Sequence, residues 1–302
     1  MSMRVQKWAA ASFVILALAV PIFIRDSYVL HLLITAGFFY MLVAGLNLLV
    51  GYLGQLSLGH TAFLGVGAYT SALVNLKLGA PYWLCMLSAL GVTLVLSFLF
   101  GLIVLRLRGP YFVIVSLCFA EMLAIIAINW VDLTNGPMGV PGIGAPTFFG
   151  YELASKTDFY YFMLFLILVI TYIVARLVNS HVGRAAISLR ENEDLAESVG
   201  VSAFRFGMII FVVSSLFAAV AGSFYAHYIS YLNPEIFGFI YMITMLVMLV
   251  TGGKGTIAGP LLGCFIFTVV PELLRGVQHL RDPIFGIILI VVAVFMPKGL
   301  KG

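Results

Sequence analysis

Charge is what this 302-residue sequence has least of: Asp, Glu, Lys and Arg together make up only 9% of it. A soluble domain carries roughly 25%, so the chain cannot clothe itself in a water-facing surface. Its net charge of +4 is small and scattered, which leaves no basic patch for nucleic acid. Cysteine is scarce too. Cys85, Cys118 and Cys264 each stand alone in an apolar run, without CxxC or Cys/His spacing, and read as small core residues. Catalytic signatures are missing: neither HExxH nor GxSxG occurs. "TGGKGT" at 251–256 resembles a phosphate loop, but Lys254 is followed by Gly255 rather than Ser or Thr, and apolar runs flank it. It is expected to be a tight turn. No enzymatic role and no cofactor held by this chain are expected, and no low-complexity tract interrupts it.

What is present is hydrophobic residue, 63% of the total. A helix needs about 20 apolar residues to cross a bilayer. The apolar runs and their breaks predict about ten crossings: 8–24, 29–50, 61–76, 82–105, 110–130, 159–178, 206–227, 237–251, 257–274 and 283–297. The expected fold is therefore an all-α polytopic membrane protein with one transmembrane domain over 1–302. Ala17-Leu18-Ala19 resembles a signal-peptidase site, yet the apolar run continues through Pro21 to Ile24, and an uncleaved first span is expected.

Lys and Arg favour cytoplasmic loops. With the N-terminus inside, the inner side collects Arg4, Lys7, Arg106, Arg108, Arg176, Arg184, Arg190, Arg205, Lys254, Lys298 and Lys301. The outer side keeps Arg25, Lys77, Lys156, Arg275 and Arg281, largely offset by acids. Both termini are expected in the cytoplasm. Two connections are long. Residues 131–158, with "TNGPMGVPGIGAP", form an outer loop too rich in Gly and Pro to be helical. Residues 179–205 form an inner loop with the densest charge in the chain.

Inside that inner loop a short helix has legible ends. Asn192 is a good N-cap, Glu193 and Asp194 suit the positive end of the helix dipole, and Gly200 is a natural stop. Leu195, Ala196 and Val199 are predicted to share one face, with Glu193, Asp194 and Glu197 largely on the other. A preceding piece from Arg184 to Leu189 presents Ile187 among alanines. A solvated loop is one reading. Docking on a soluble partner is the other, favoured because so short a helix is marginal alone in water.

Polar groups at membrane depth are costly and tend to face a bundle interior or an aqueous path. Glu121 is the one acid near the middle of a predicted span, either packed with Tyr111 or Asn129 as its partner or lining a path. The glycine-rich stretch "GYLGQLSLGHTAFLGVGAYTS" at 51–71 gathers Gln55, Ser57, His60 and Thr61, with Asn47 just before it. Such interrupted apolar segments point to transport pathways. A broken or re-entrant connection is predicted near 51–61, facing the interior. The small-xxx-small pairs Thr61/Gly65, Gly67/Ser71 and Ala68/Ala72 also suit close helix packing. A similar glycine-rich break recurs at 252–263.

Five segments in order, "GYLGQLSLGHTAFLGVGAYTSALV", "LRGPYFVIVSLCFAEML", "TNGPMGVPGI", "GRAAISLRENEDLAESVGV" and "TGGKGTIAGPLLG", resemble permeases of branched-chain amino-acid ABC importers, of the LivM type. The resemblance covers about 30–297. It implies a bacterial inner-membrane subunit that works with a related second permease of the LivH type, two cytoplasmic ATP-binding subunits and a periplasmic substrate-binding protein. ATP and Mg would be bound by the partners. It also implies that 184–200 carries ATPase coupling, through Arg184, Ile187, Arg190, Glu193, Asp194, Leu195, Ala196, Glu197, Val199 and Gly200. Ala196 and Gly200 match the EAA-type pattern of ABC permeases, whereas Asp194 and Leu195 depart from it and the downstream Ile-x-Leu-Pro is absent. The expected pathway residues are Asn47, Gln55, Ser57, His60, Thr61, Tyr111 and Glu121. Two other classes stay open: a secondary transporter driven by protons through Glu121, and a channel-like facilitator. Urea or short amides are alternative cargo.

Overall fold

The computed structural model describes residues 17–21, 26–148 and 151–273. The predicted span at 283–297 and most of that at 8–24 lie outside these residues. Helix α1 (Ser27–Asn47) starts where Asp26 Oδ1 accepts the Tyr28 amide at 2.8 Å, the usual service of an acidic N-cap. It then widens into a π-helical turn, Leu48–Leu53, and stops at Gly54, whose φ of 80° suits glycine. Residues 54–59 are not helical, and α2 (His60–Leu78) follows. Next come α3 (Tyr82–Val104) and α4 (Pro110–Asn129), the latter opened by a proline that loses no helical hydrogen bond there. A short α5 (Val131–Thr134) leads into the long loop, and α6 (Lys156–Val178) is set by a reciprocal capping box between Ser155 and Asp158.

The charged segment is almost wholly helical: α7 (His181–Glu191) and α8 (Glu193–Ser198) precede α9 (Ala203–Ile229). Helices α10 (Phe239–Gly252) and α11 (Gly259–Leu273) complete the described chain. Among the described residues, five helices are long and apolar enough to cross a membrane: the α1 segment Ser27–Leu53, α3, α4, α6 and α9. The chain is an all-α multi-pass membrane protein. Helix α2 is less apolar, and α10, at 14 residues, spans only about 21 Å.

Burial ranks the helices. The apolar stretches of α1 and α9 are two-thirds buried, while α3, α4 and α6 bury little more than a quarter of theirs and form the periphery. Helix α2 packs most extensively on α9. Small residues permit this approach. A Cβ on Gly67 would lie 2.5 Å from Ala219 Cα, and one on Gly222 would lie 2.2 Å from the Leu64 carbonyl.

Successive long helices run alternately between two ends. At one end lie α7, α8, the 54–59 break and the α3–α4 and α10–α11 turns. At the other lies the loop 131–155, where β1 (Val140–Pro141) pairs antiparallel with β4 (Tyr231–Leu232), and β2 (Thr147–Phe148) with β3 (Tyr151–Glu152). The Gly/Pro cluster at 134–146 is non-helical, as expected, apart from Thr134 at the end of α5 and a 3-10 turn at Gly136–Met138. After β4 the chain re-enters the bundle as a 3-10 turn, Pro234–Phe237, packed between α2 and α4. Phe237 stacks on Tyr69, midway along α2, at 5.8 Å and presses against Gly65 one turn earlier. This non-helical approach explains why α10 is short.

Candidate functional site

Two amphipathic helices form a platform at the α7 end. Helix α7 buries Ala185, Ala186 and Leu189, leaves Ile187 half-buried, and exposes Arg184, whose Nη1 donates to the Asn179 carbonyl at 3.2 Å. Asn192 caps α8 as its sequence predicts, Oδ1 accepting the Leu195 amide at 3.0 Å, and Gly200 ends it at φ 90°. One detail differs. Ala196 turns inward and is 4% exposed, while Leu195 and Val199 are 64% and 75% exposed. The predicted apolar face therefore splits: its smallest member anchors the helix and its two large ones face outward.

The acidic face is not merely solvated. Arg108, in the α3–α4 turn, reaches Glu193 at 3.2 Å, Asp194 at 3.2 Å and Glu197 at 3.3 Å. Glu193, foremost of the three, holds the guanidinium pKa above its ordinary value. One arginine thus clamps α8 to the transmembrane bundle. Beside it the 54–59 break, the α3–α4 turn and α7 enclose a half-open groove of about 630 Å³, lined by Gln55, Leu56, Arg108, Pro110 and Arg190 among others.

The break is held from within. The Leu58 amide donates to Ser116 Oγ at 3.0 Å, and Ser57 Oγ accepts the Gly59 amide at 3.3 Å. Ser57, His60, Thr61 and Asn47 are all buried. The His60 ring lies against Gly45, whose carbonyl accepts from Ser214 Oγ at 2.7 Å. Neither His60 nitrogen completes a hydrogen bond of good geometry, the Leu42 carbonyl being its polar neighbour. Gln55 is half-buried, with its Oε1 unpartnered.

Glu121 is not packed as one reading of the sequence expects. It is exposed on the outer face of α4, where Tyr111, Ile114, Met122 and Ile125 are exposed with it. Tyr111 sits in the first turn, far along the helix, and Asn129 Nδ2 donates to the Ile125 carbonyl instead. Helix α3, equally peripheral, carries no charged residue along its length.

Residues 28–293 match the family described as the branched-chain amino acid transport system permease component. The chain belongs to this family. The permease LivM of the high-affinity branched-chain amino acid transport system of Salmonella typhimurium is 33% identical over 85% of this chain and 66% of its own length. Its Escherichia coli counterpart is 31% identical over 98% of this chain and 75% of its own. The Escherichia coli permease LivH is 25% identical over 89% of this chain and 93% of its own length. No solved structure matches the chain.

In this permease-family chain the structure brings Asn47, Arg190 and the 54–59 break together at one end. It leaves Tyr111 and Glu121 on a separate outer face. Sequence reasoning missed a buried network at the opposite end. There Ser71 Oγ meets Ser223 Oγ at 2.8 Å and His227 Nε2 at 3.0 Å, and His227 Nδ1 reaches the Gly144 carbonyl at 2.7 Å. Asn75 Oδ1 accepts the Gly144 amide at 2.9 Å, so the outer loop is pinned on both sides of one residue. His227 and Gly144 are 83 positions apart along the sequence, and no local pattern announces such a pairing.

Proposed function

We propose that this chain is the permease subunit of an ATP-driven importer of branched-chain amino acids in a bacterial inner membrane. The observation that carries the coupling part is the α7–α8 platform. It presents Leu195 and Val199 outward on a helix fixed by Ala196 and the Arg108 clamp. Two large apolar side chains on a rigid anchored helix suit a groove on a soluble partner. The partner in this reading is a pair of cytoplasmic ATP-binding subunits, which would bind ATP and Mg. A LivH-type second permease and a periplasmic binding protein complete the assembly, in contact with lipid. Ten crossings with both termini cytoplasmic fit the alternation of the described helices, with one further crossing at each end.

The pathway reading divides the candidate residues. Glu121, with Tyr111 on the same outer face, addresses the partner permease across the pathway, because an unpaired carboxylate against lipid is expensive. Gln55 lies at the inner mouth, beside the groove. Asn47, Ser57, His60 and Thr61 act from inside the subunit by shaping the broken segment at 54–59, and Pro234–Phe237 is a second break in the bundle. Irregular backbone survives at membrane depth only where protein or water satisfies it.

The test is affinity purification of the tagged chain from native membranes, with Leu195→Asp and Val199→Asp beside it. ATP-binding subunits are expected with the parent chain and lost from both variants. Their absence from the parent would sink the proposal. A second reading rests on Glu121: proton-coupled transport, in which Glu121→Gln abolishes coupling and ATP depletion at constant membrane potential spares uptake. Cargo is tested by thermal-shift screening of the cognate binding protein against leucine, isoleucine, valine and urea, with stabilisation by urea alone contradicting the amino-acid assignment.

A further inference from the structure

Helix α1 ends in carbonyls that its own backbone cannot satisfy, as every helix does. One of them, on Gly51 in the π-helical turn, accepts from Arg190 Nη1 of α7 at 2.6 Å. A cation at a helix C-terminus also meets the negative end of the helix dipole. Glu191 holds the other side of the same guanidinium, accepting from Nε and Nη2.

One turn earlier on α1, Asn47 is 1% exposed. It spends both ends of its amide on the α10–α11 turn. Nδ2 donates to the Thr256 carbonyl at 2.8 Å, and Oδ1 accepts the Gly255 amide at 2.8 Å. The spacing leaves no room for a methyl group. A Cβ on Gly51 would lie 2.2 Å from Asn47 Oδ1 and 2.4 Å from the Gly255 nitrogen. One on Gly255 would lie 3.0 Å from the Gly51 carbonyl oxygen and 3.1 Å from Arg190 Nη1, and one on Gly54 would lie 2.6 Å from Arg190 Cγ. Three segments far apart in sequence therefore meet at one point: the coupling helix, the end of α1 and the glycine-rich turn at 253–256. The role of "TGGKGT" is here a backbone role, with Lys254 pointing out to solvent.

We infer that Arg190 is a positioning residue that gears α7 to α1 and to the α10–α11 turn, so that all three move as one body when the ATP-binding subunits push the platform. This rests on the coupling proposed above. Arg190 lies partly exposed at the groove, with Nη1 on the Gly51 carbonyl, while Leu195 projects from the next helix, so the joint and the docking surface can be broken separately.

The experiment uses the assembled importer in nanodiscs. Spin labels at Ser188→Cys on α7 and Lys254→Cys on the turn, in a chain cleared of native cysteines, report the distance without nucleotide and with ATP plus vanadate. With Arg190 present the distance is expected to hold within about 2 Å between the two states. With Arg190→Met it is expected to broaden and shift, and Arg190→Lys, which retains one charged donor nitrogen, should restore most of the narrow distribution. In proteoliposomes the ATP hydrolysed per leucine imported is expected to rise about tenfold in Arg190→Met. Equal distances in the parent and Arg190→Met would overturn the joint, as would a parent distance that changes between nucleotide states. Loss of the ATP-binding subunits from Leu195→Asp, with that result, would leave the docking reading standing while the joint falls. Retention of the subunits by Leu195→Asp would strike the docking reading instead.

Discussion

Gly59→Ala tests the packing of the broken segment against α4. Gly59 has φ −98° and ψ 12°, a backbone that alanine also adopts, so the substitution adds one methyl group and no conformational strain. That methyl would lie 2.4 Å from the Ser116 carbonyl oxygen and 3.2 Å from Ser116 Cα. These are backbone atoms inside a helix and cannot rotate away. The segment must lift from α4, which also stretches the 3.0 Å hydrogen bond from the Leu58 amide to Ser116 Oγ. Overpacking costs about 1–3 kcal/mol. Loss of the hydrogen bond adds about 0.5–1.5 kcal/mol, for about 1.5–4.5 kcal/mol in all. The control is Gly91→Ala on α3, where an added Cβ meets nothing within 4 Å. It should gain up to about 1 kcal/mol from helix propensity. The assay is reversible unfolding in mixed micelles with rising SDS. Equal stability of the two variants would refute the reasoning, since only the close approach at Gly59 separates them.

Charge reversal by Arg108→Glu should speed amide hydrogen exchange over 193–199 while leaving α9 protected; high salt should loosen the same amides in the parent, because exposed ion pairs are screened. His227→Leu removes the bonds to Ser71 and Gly144 and should destabilise the protein by about 1–3 kcal/mol, with faster exchange at 140–148; unchanged exchange there would contradict the pinning of the outer loop. Cys118 is the one exposed cysteine among the described residues and lies one turn before Glu121 and Met122. A membrane-impermeant thiol reagent should label it in the assembled importer if the α4 face lines water, and protection in every nucleotide state would place that face against lipid or a dry interface.

The parts of this fold that were legible in the sequence are those with local causes. Apolar runs long enough to cross a bilayer locate α1, α3, α4, α6 and α9. The cap at Asn192 and the stop at Gly200 define α8 because capping acts within three residues. The glycines and small residues of 61–72 announce close packing, which α9 supplies through Ala219 and Gly222. The rest depends on partners far away in the chain. Arg108 and Glu193 are 85 positions apart, so the acids of α8 read as solvated until the fold brings the arginine to them. The Arg190 bond to Gly51 spans 139 positions, and Asn47 reads as a pathway residue until the α10–α11 turn occupies both ends of its amide. Glu121 departs in the opposite sense, and only in its packing alternative. Its local neighbours suggest packing partners, yet its direction on α4 turns it away from them all. The non-helical approach at 234–237 is not predicted, since 237–251 is only one of several short apolar runs.

Energy source is the measurement that bears most directly on the central claim. The chain, its second permease and the ATP-binding subunits are reconstituted into proteoliposomes, and uptake of radiolabelled leucine delivered by the binding protein is followed. Uptake is expected to require internal ATP, to persist when an uncoupler has collapsed the proton gradient, and to vanish with Leu195→Asp. Uptake that continues without ATP and stops with the uncoupler would contradict the account.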